Sequence, residues 1–318
     1  MTTPHPFGRA LCAMITPFTR DGELDAEAAA RHALRLTADG CDGLVLNGTT
    51  GESPTTSDAE KTALVRAVRE AVGPDVPVVA GVGTSDTRHT VELARAAERA
   101  GADGVLVVSP YYSRPPARAV EAHFRKVADA VGVPLMLYDI PGRTGVRIGT
   151  ESLLRLAGHP RIVAVKDCAY DLLGSSKVIA RTPLAYYSGC EELNLPLYAV
   201  GGAGYVSTVA NAAPGPLRAV LDAFDAGDTA EAARLNGLLL PLTELMMASG
   251  LPGTVTAKAL LDAGGVREPL LPADRETAGR LREAYETLLA AVTARGPAAA
   301  VGAVPAGEPA PVAARVAP

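Results

Sequence analysis

The stretch "IVAVKDCAYD" at residues 162–171 decides the fold, because a charged residue ends an uninterrupted apolar run. Residues 162–165 are apolar in consecutive positions, which predicts a strand covered on both faces, as in a parallel sheet. Lys166 follows where this strand should run into a loop. In parallel α/β folds the functional side chains lie at the carboxyl ends of the strands, so Lys166 is expected at a functional edge.

Seven other short apolar runs share this character, and segments of helical period separate them. Two such segments span residues 57–72 and 86–101, with Ser57 and Asp86 as predicted N-caps. The alternation predicts an α/β fold, a (β/α)8 TIM barrel, over residues 8–226, with a doubly wound sheet as the alternative. The eight runs are "ALCAMITPF", "GLVLNG", "VPVVAGV", "GVLVVSP", "PLMLYDI", "IVAVKD", "LAYYSG" and "GYVSTVA".

The pattern changes after the predicted barrel. Residues 227–295 carry only helical periodicity, which predicts a C-terminal extension of three helices. Residues 296–318 consist largely of Ala, Pro, Gly and Val with almost no charge. Such a segment has no pattern to bury, and we predict a disordered tail there.

Composition narrows the function classes. A net charge of -5 gives no electrostatic footprint for nucleic acid. The four cysteines and five histidines show neither disulfide nor metal-ligand spacing, so no metal is predicted. Without a signal-peptide pattern or an apolar stretch long enough for a membrane span, we expect a soluble cytoplasmic protein.

Lys166 is the sharpest candidate for catalysis. Burial at a barrel mouth lowers the pKa of an amine, and a neutral amine attacks carbonyl carbons to form an imine. Tyr138 closes the preceding predicted strand, in "YDIPGRTG", and should stand beside Lys166, where a phenol can shuttle protons. The alternatives are that Lys166 pairs with Asp167 or another acid and that Tyr138 only fills space.

Two further features suit anionic groups. Thr49 and Thr50 lie between Gly48 and Gly51, where bare glycines permit a tight turn that aims N–H groups and hydroxyls at a carboxylate. The segment lacks the Gly-Lys-Ser/Thr ending of a nucleotide-binding loop. Arg143 follows on a predicted loop that suits bidentate capture of a second carboxylate, or it is a solvated loop arginine.

Four motifs together resemble the dihydrodipicolinate synthase / N-acetylneuraminate lyase family of class I aldolases, over residues 8 to about 290. They are "GTTGES", "PYY.RP", "YDIPGRTG" and "VKD". The resemblance implies that Lys166 captures pyruvate as a covalent imine, with no cofactor. It implies that Thr50, Gly189 and the backbone of Val206 contact the pyruvate.

The resemblance also implies a proton relay of Tyr138, Thr49 and Tyr112, in which Tyr112 reaches a neighbouring subunit of a homotetramer. Arg143 is implied to bind the carboxylate of L-aspartate 4-semialdehyde, which condenses with pyruvate to 4-hydroxy-tetrahydrodipicolinate in lysine and diaminopimelate biosynthesis. The partners are then small molecules, with no nucleic acid or membrane.

Two alternatives stay open at this point. One is another pyruvate-dependent aldolase of the family, cleaving a sialic or 2-keto-3-deoxy sugar acid. The other is a catalytically silent paralogue that binds a keto acid. The first "GTT" motif and Arg143 argue against the sugar lyase, whereas Cys190-Glu191, where synthases commonly carry two aspartates, leaves it open.

Family members that lysine inhibits line a cleft at a dimer interface with histidines, an asparagine and a glutamate. The corresponding positions here are Asp58, Lys61, Ser85 and His89. A lysine ammonium needs a fixed carboxylate to offset its desolvation, and the glutamate is missing. The resemblance therefore implies weak inhibition by lysine.

Overall fold

The computed structural model describes residues 5–294, which form a closed barrel of eight parallel strands surrounded by helices. Each strand is hydrogen-bonded to the next along the chain, and the eighth returns to the first. The predicted barrel is confirmed, and the doubly wound sheet is wrong because the sheet closes. The strands are β1 (Ala10–Ala13), β2 (Gly43–Leu46), β3 (Val78–Gly81), β4 (Gly104–Val108), β5 (Leu135–Asp139), β6 (Ile162–Asp167), β7 (Ala185–Ser188) and β8 (Gly204–Ser207).

Helices alternate with these strands, as the sequence periodicity predicts. Ser57 caps the second helix through a capping box with Glu60, and Asp86 caps the third by accepting from Arg88 N, so both predicted N-caps are confirmed. In the described residues the α-helices are α1 (Ala26–Ala38), α2 (Asp58–Val72), α3 (Thr87–Arg99), α4 (Ala117–Asp129), α5 (Pro141–Thr144), α6 (Thr150–Leu156), α7 (Leu172–Arg181), α8 (Asn194–Ala199), α9 (Pro214–Asp225), α10 (Thr229–Met247), α11 (Gly253–Leu261) and α12 (Arg275–Thr293).

The last three helices, α10 to α12, form the predicted C-terminal extension. They add apolar side chains such as Leu239, Met246 and Leu281 to the core between the barrel and its helices. The division into a barrel at 8–226, an extension at 227–295 and a tail at 296–318 stays a prediction, and the tail lies outside the described residues.

The barrel interior is a separate, smaller core that carries the site. Because side chains alternate along a strand, Ala164 of β6 and Cys168 directly after it join the interior cluster, while Val165 packs outward under the helices. Lys166 shares the inward face. The register pairs it with Tyr138 of β5, as predicted, so both stand at the carboxyl end of the barrel.

Candidate active site

A cavity of about 530 Å³ opens at the carboxyl ends of the strands. It brings together residues that are far apart in sequence, as expected for a barrel of this kind. Six of the predicted site residues line it, namely Thr49, Thr50, Tyr138, Arg143, Lys166 and Gly189.

Lys166 is a buried amine, with only 6% of the residue exposed. Its Nζ lies 4.5 Å from the centroid of the Tyr138 ring, and burial lowers its pKa below the ordinary lysine value. Within residues 5–294 it forms no ion pair. Asp167 is turned away and accepts a hydrogen bond of 2.6 Å from Ser175 Oγ, so the alternative that Lys166 pairs with Asp167 is wrong.

The phenol of Tyr138 lies beside the amine and is equally buried. Burial raises the pKa of Tyr138, and the nearby Cys168 thiol acts in the same direction, whereas a hydrogen bond with Thr49 favours the phenolate. The phenol therefore keeps its proton at neutral pH while standing next to an amine and a hydroxyl. That arrangement suits a group that passes protons between neighbours.

The threonine turn differs from the prediction in its backbone. The left-handed residues are Asn47 and Glu52, with φ of 55° each, and not the glycines that flank the threonines. Gly51 instead lies in a tight space, since a methyl group there would lie 3.1 Å from the carbonyl oxygen of Met14, closer than most side-chain contacts. Thr50 Oγ1 lies 2.9 Å from Thr208 Oγ1, which orients its hydroxyl at the cavity wall.

Gly189 makes room for the reactive lysine. A methyl group at this position would lie 2.8 Å from Lys166 Cε and 2.5 Å from Cys168 Sγ, distances that side chains do not tolerate. Its N–H donates to the carbonyl of Asp167 at 2.8 Å, which ties the loop after β7 to β6. A larger residue would displace the amine from the cavity.

Glu191 explains part of the departure noted in the sequence. Its buried carboxylate accepts hydrogen bonds from Thr208 N at 2.6 Å, Val209 N at 3.1 Å and Ser207 Oγ at 2.7 Å. It therefore fastens the end of β8 and is not free to bind a substrate. Cys190 and Glu191 both line the cavity, but only Glu191 is held by these bonds to the end of β8.

Three predicted residues do not lie beside the Lys166 amine and the Tyr138 phenol. Arg143 lies at the cavity mouth on the single turn α5, not on an irregular loop, and its exposed guanidinium has no hydrogen-bond or ion-pair partner in the described residues. Tyr112 is 95% exposed and does not line this cavity. Val206 packs inside the barrel with its side chain in the interior cluster.

The extension contributes a wall of the cavity that the sequence does not reveal. Residues of α10 and α11 line it, because these helices fold back across the barrel mouth. They are separated from the threonine turn by about 200 positions, and helical periodicity carries no information on such a contact. The residues are Leu240, Thr243, Glu244, Met247, Gly253 and Thr254.

A second cavity of about 620 Å³ adjoins the first and shares Tyr138 and Arg143 with it. It is lined by the four positions predicted for an effector cleft, Asp58, Lys61, Ser85 and His89. Asp58 Oδ2 lies 2.8 Å from His89 Nε2, and Lys61 Nζ donates to the Thr56 carbonyl. The only carboxylate of this set is therefore already paired.

No helix within residues 5–294 has both the length and the hydropathy to cross a bilayer. Nor does that part of the chain gather three or more His, Cys, Asp or Glu side chains into a group that could hold a metal ion.

Comparison with known proteins places the chain. Residues 6–288 match the Dihydrodipicolinate synthetase family. A 4-hydroxy-tetrahydrodipicolinate synthase from Streptomyces coelicolor is 70% identical over 290 residues, 90% of this chain and 95% of that protein, and one from Kineococcus radiotolerans is 54% identical over 283 residues, 87% and 92%. The crystal structure of a dihydrodipicolinate synthase from Bacillus anthracis superposes with a TM-score of 0.85 at 36% identity, covering 88% and 98%. The chain therefore belongs to the dihydrodipicolinate synthetase family, as its motifs predicted.

Proposed function

We propose that this chain catalyses the condensation of pyruvate with L-aspartate 4-semialdehyde to 4-hydroxy-tetrahydrodipicolinate, a step of lysine and diaminopimelate biosynthesis. The observation that carries the proposal is the buried Lys166 amine, which has no ion-pair partner within residues 5–294 and faces a cavity beside a phenol. Relatives up to 70% identical bear the name of this activity.

The first half of the reaction uses the lysine as a nucleophile. The neutral amine of Lys166 attacks the keto carbon of pyruvate, and loss of water gives the imine. The turn that carries Thr50 binds the pyruvate carboxylate, with Gly189 and the Val206 backbone as further contacts. The imine withdraws electrons, so the methyl group of pyruvate loses a proton and an enamine forms.

The second half joins the two substrates. The enamine carbon attacks the aldehyde, and Tyr138 and Thr49 deliver the proton that the new hydroxyl needs. The guanidinium of Arg143, which lies at the cavity mouth and is bonded to no residue of the described chain, binds the carboxylate of the aldehyde substrate. The substrate's own amine then displaces Lys166 and closes the ring, which regenerates the free enzyme.

The proposal also covers the oligomeric state of the protein and its cellular compartment. Tyr112 is an aromatic residue that is 95% exposed, which suits a contact with a neighbouring subunit, and we propose a homotetramer in which it completes the partner's relay. The four cysteines are free thiols, which supports a reducing cytoplasm. The imine chemistry needs no cofactor beyond Lys166 itself.

A substrate panel tests the proposal. The full chain is supplied with pyruvate and, in separate reactions, with aspartate semialdehyde and N-acetylmannosamine, and the consumption of pyruvate is followed. We expect turnover with aspartate semialdehyde alone, and none with the Lys166→Met variant. Turnover only with the sugar aldehyde would identify a sugar-acid lyase, and turnover with neither would identify a keto-acid-binding paralogue.

A further inference from the structure

The hydroxyl of Thr254 connects the turn that carries Thr49 and Thr50 to the C-terminal extension. Thr254 Oγ1, in the first turn of α11, lies 3.1 Å from the Thr50 carbonyl oxygen and 3.3 Å from that of Thr49. The Thr254 side chain is buried, so water does not replace it. One hydroxyl proton is thus shared between two carbonyls of the substrate-binding turn.

Backbone planarity transmits the effect of this contact. A peptide unit is rigid, so a bond that fixes the carbonyl of Thr49 also fixes the N–H of Thr50, and one that fixes the carbonyl of Thr50 fixes the N–H of Gly51. These N–H groups and the Thr50 hydroxyl are the donors assigned to the pyruvate carboxylate. The orientation of the donors therefore depends on a residue outside the barrel.

Helix α11 makes a second contact with this segment, at Glu52, through a residue one helical turn after Thr254. Lys258 lies four residues after Thr254, on the same face of α11, and its Nζ donates to Glu52 Oε1 at 2.5 Å. Glu52 Oε2 accepts from Arg267 N at 2.8 Å. Glu52 is one of the left-handed residues, so this pair stabilises a backbone conformation that the turn would otherwise leave.

We propose that Thr254 is a positioning residue for pyruvate, acting through the Thr49-Thr50 peptide units and not by contact with the reacting atoms. The inference rests on the proposed function, since the ligand is the carboxylate of pyruvate. It gives the extension a part in substrate binding. The affinity for pyruvate then depends on how α11 packs against the turn.

The test compares two threonines of one helix. Thr254→Val keeps the shape and removes the donor, and we expect the KM for pyruvate to rise about 3- to 10-fold, the size of one lost hydrogen bond, with kcat within about twofold. Thr256→Val is the matched control, because Thr256 Oγ1 donates to Met246 and Gly253 inside the extension. Thr254→Ser should restore the parental KM.

A second readout keeps the test independent of turnover and of folding. The pyruvate concentration for half-maximal trapping by borohydride should rise in Thr254→Val by the same factor, and Thr254→Ala replaces it should valine fold poorly. An unchanged KM in Thr254→Val, or an equal rise in Thr256→Val, overturns the inference while the parent remains active. A parent that traps no pyruvate overturns the proposed function instead.

Discussion

Two lysines of this chain are almost fully buried and have opposite surroundings. Lys258, 2% exposed, donates to Glu52 at 2.5 Å and to the Gly265 carbonyl at 2.8 Å. Lys166, 6% exposed, has neither an acid nor a carbonyl at bonding distance in the described residues. Both amines lie over an aromatic ring. The contrast supports the proposal that Lys166 is the reactive lysine, because both amines are buried and only Lys258 is bonded to an acid and a carbonyl of the described residues.

The two amines also differ in how strongly neighbouring groups oppose the lowering of their pKa. Burial lowers the pKa of both amines, but at Lys258 the bonded Glu52 carboxylate opposes the shift and favours the ammonium. At Lys166 the carboxylate of Glu191 opposes it only from a distance, because its oxygens are occupied by β8. One lysine is therefore an anchor between the barrel and the extension, and the other is available as a nucleophile.

The largest effect is expected from Lys166→Met. Without the imine, turnover should fall on the order of 10⁴-fold or more, as for removal of other catalytic nucleophiles. Steady-state turnover of variant and parent checks this. Residual activity within about tenfold of the parent would mean that the imine is not on the path.

The Lys166→Met variant loses turnover, but its free energy of unfolding should not fall below that of the parent. The lowered pKa means that the unfolded chain binds a proton more tightly than the folded one, so the parent gains stability as pH rises toward the unfolded value of 10.5. Lys166→Met should therefore be at least as stable as the parent at pH 7, with the advantage shrinking as pH approaches 10.5. Urea unfolding at several pH values measures it.

Lys258→Met should show the reverse pattern. It leaves the buried Glu52 carboxylate without its cationic partner, with only the Arg267 N–H still bonded to it, and the free energy of unfolding should fall by about 3–5 kcal/mol. The double variant Glu52→Gln/Lys258→Met is the control and should recover part of this loss, since no charge is left unpaired. Equal stability of Lys258→Met and the parent would contradict the assignment of this lysine as an anchor.

Tyr138→Phe separates imine formation from proton transfer. The ring that covers Lys166 is kept, so the variant should still form the imine, while turnover falls on the order of 10²-fold for a lost proton shuttle. Trapping and turnover are measured on the same preparation. Turnover close to that of the parent would mean that the tyrosine only packs against the amine.

Lys61 is a third lysine for this comparison and lies in the adjoining cavity. The effect expected there, inhibition by added L-lysine, is the smallest. The Lys61 amine is bonded to the Thr56 carbonyl and Asp58 is engaged by His89, so none of the four predicted effector positions offers a free carboxylate to an incoming ammonium. Asp86, which also lines this cavity, accepts from Arg88 N as the N-cap of α3. L-lysine should be a poor inhibitor, with half-inhibition above the order of 1 mM at saturating pyruvate. Sub-millimolar inhibition would mean that the cavity offers the effector another acceptor.

Much of this arrangement was predictable from local sequence. The eight apolar runs mark the strands, and the positions of Tyr138 and Lys166 at the ends of neighbouring strands predict their contact, because parallel strands bring these ends together. The role of Tyr112 was assigned by resemblance alone and that of Arg143 by its position and by resemblance, and both roles stay predictions.

The contacts made by the extension could not be predicted. Glu52 and Lys258 are 206 positions apart, and neither periodicity nor capping indicates that they meet. The left-handed backbone at Asn47 and Glu52 was missed because glycines normally mark such turns, whereas here tertiary bonds hold a glutamate in that conformation. Sequence patterns report local preference, and these features come from packing between distant elements.

Covalent trapping tests the contrast between the two lysines most directly. The full chain is incubated with pyruvate, reduced with borohydride, digested and mapped by mass spectrometry, with Lys166→Met and Lys258→Met treated in parallel. We predict one reduced pyruvyl group on Lys166 in the parent and in Lys258→Met, and none in Lys166→Met. An adduct on Lys258 or Lys177 in the parent, or no adduct at all, would contradict the account.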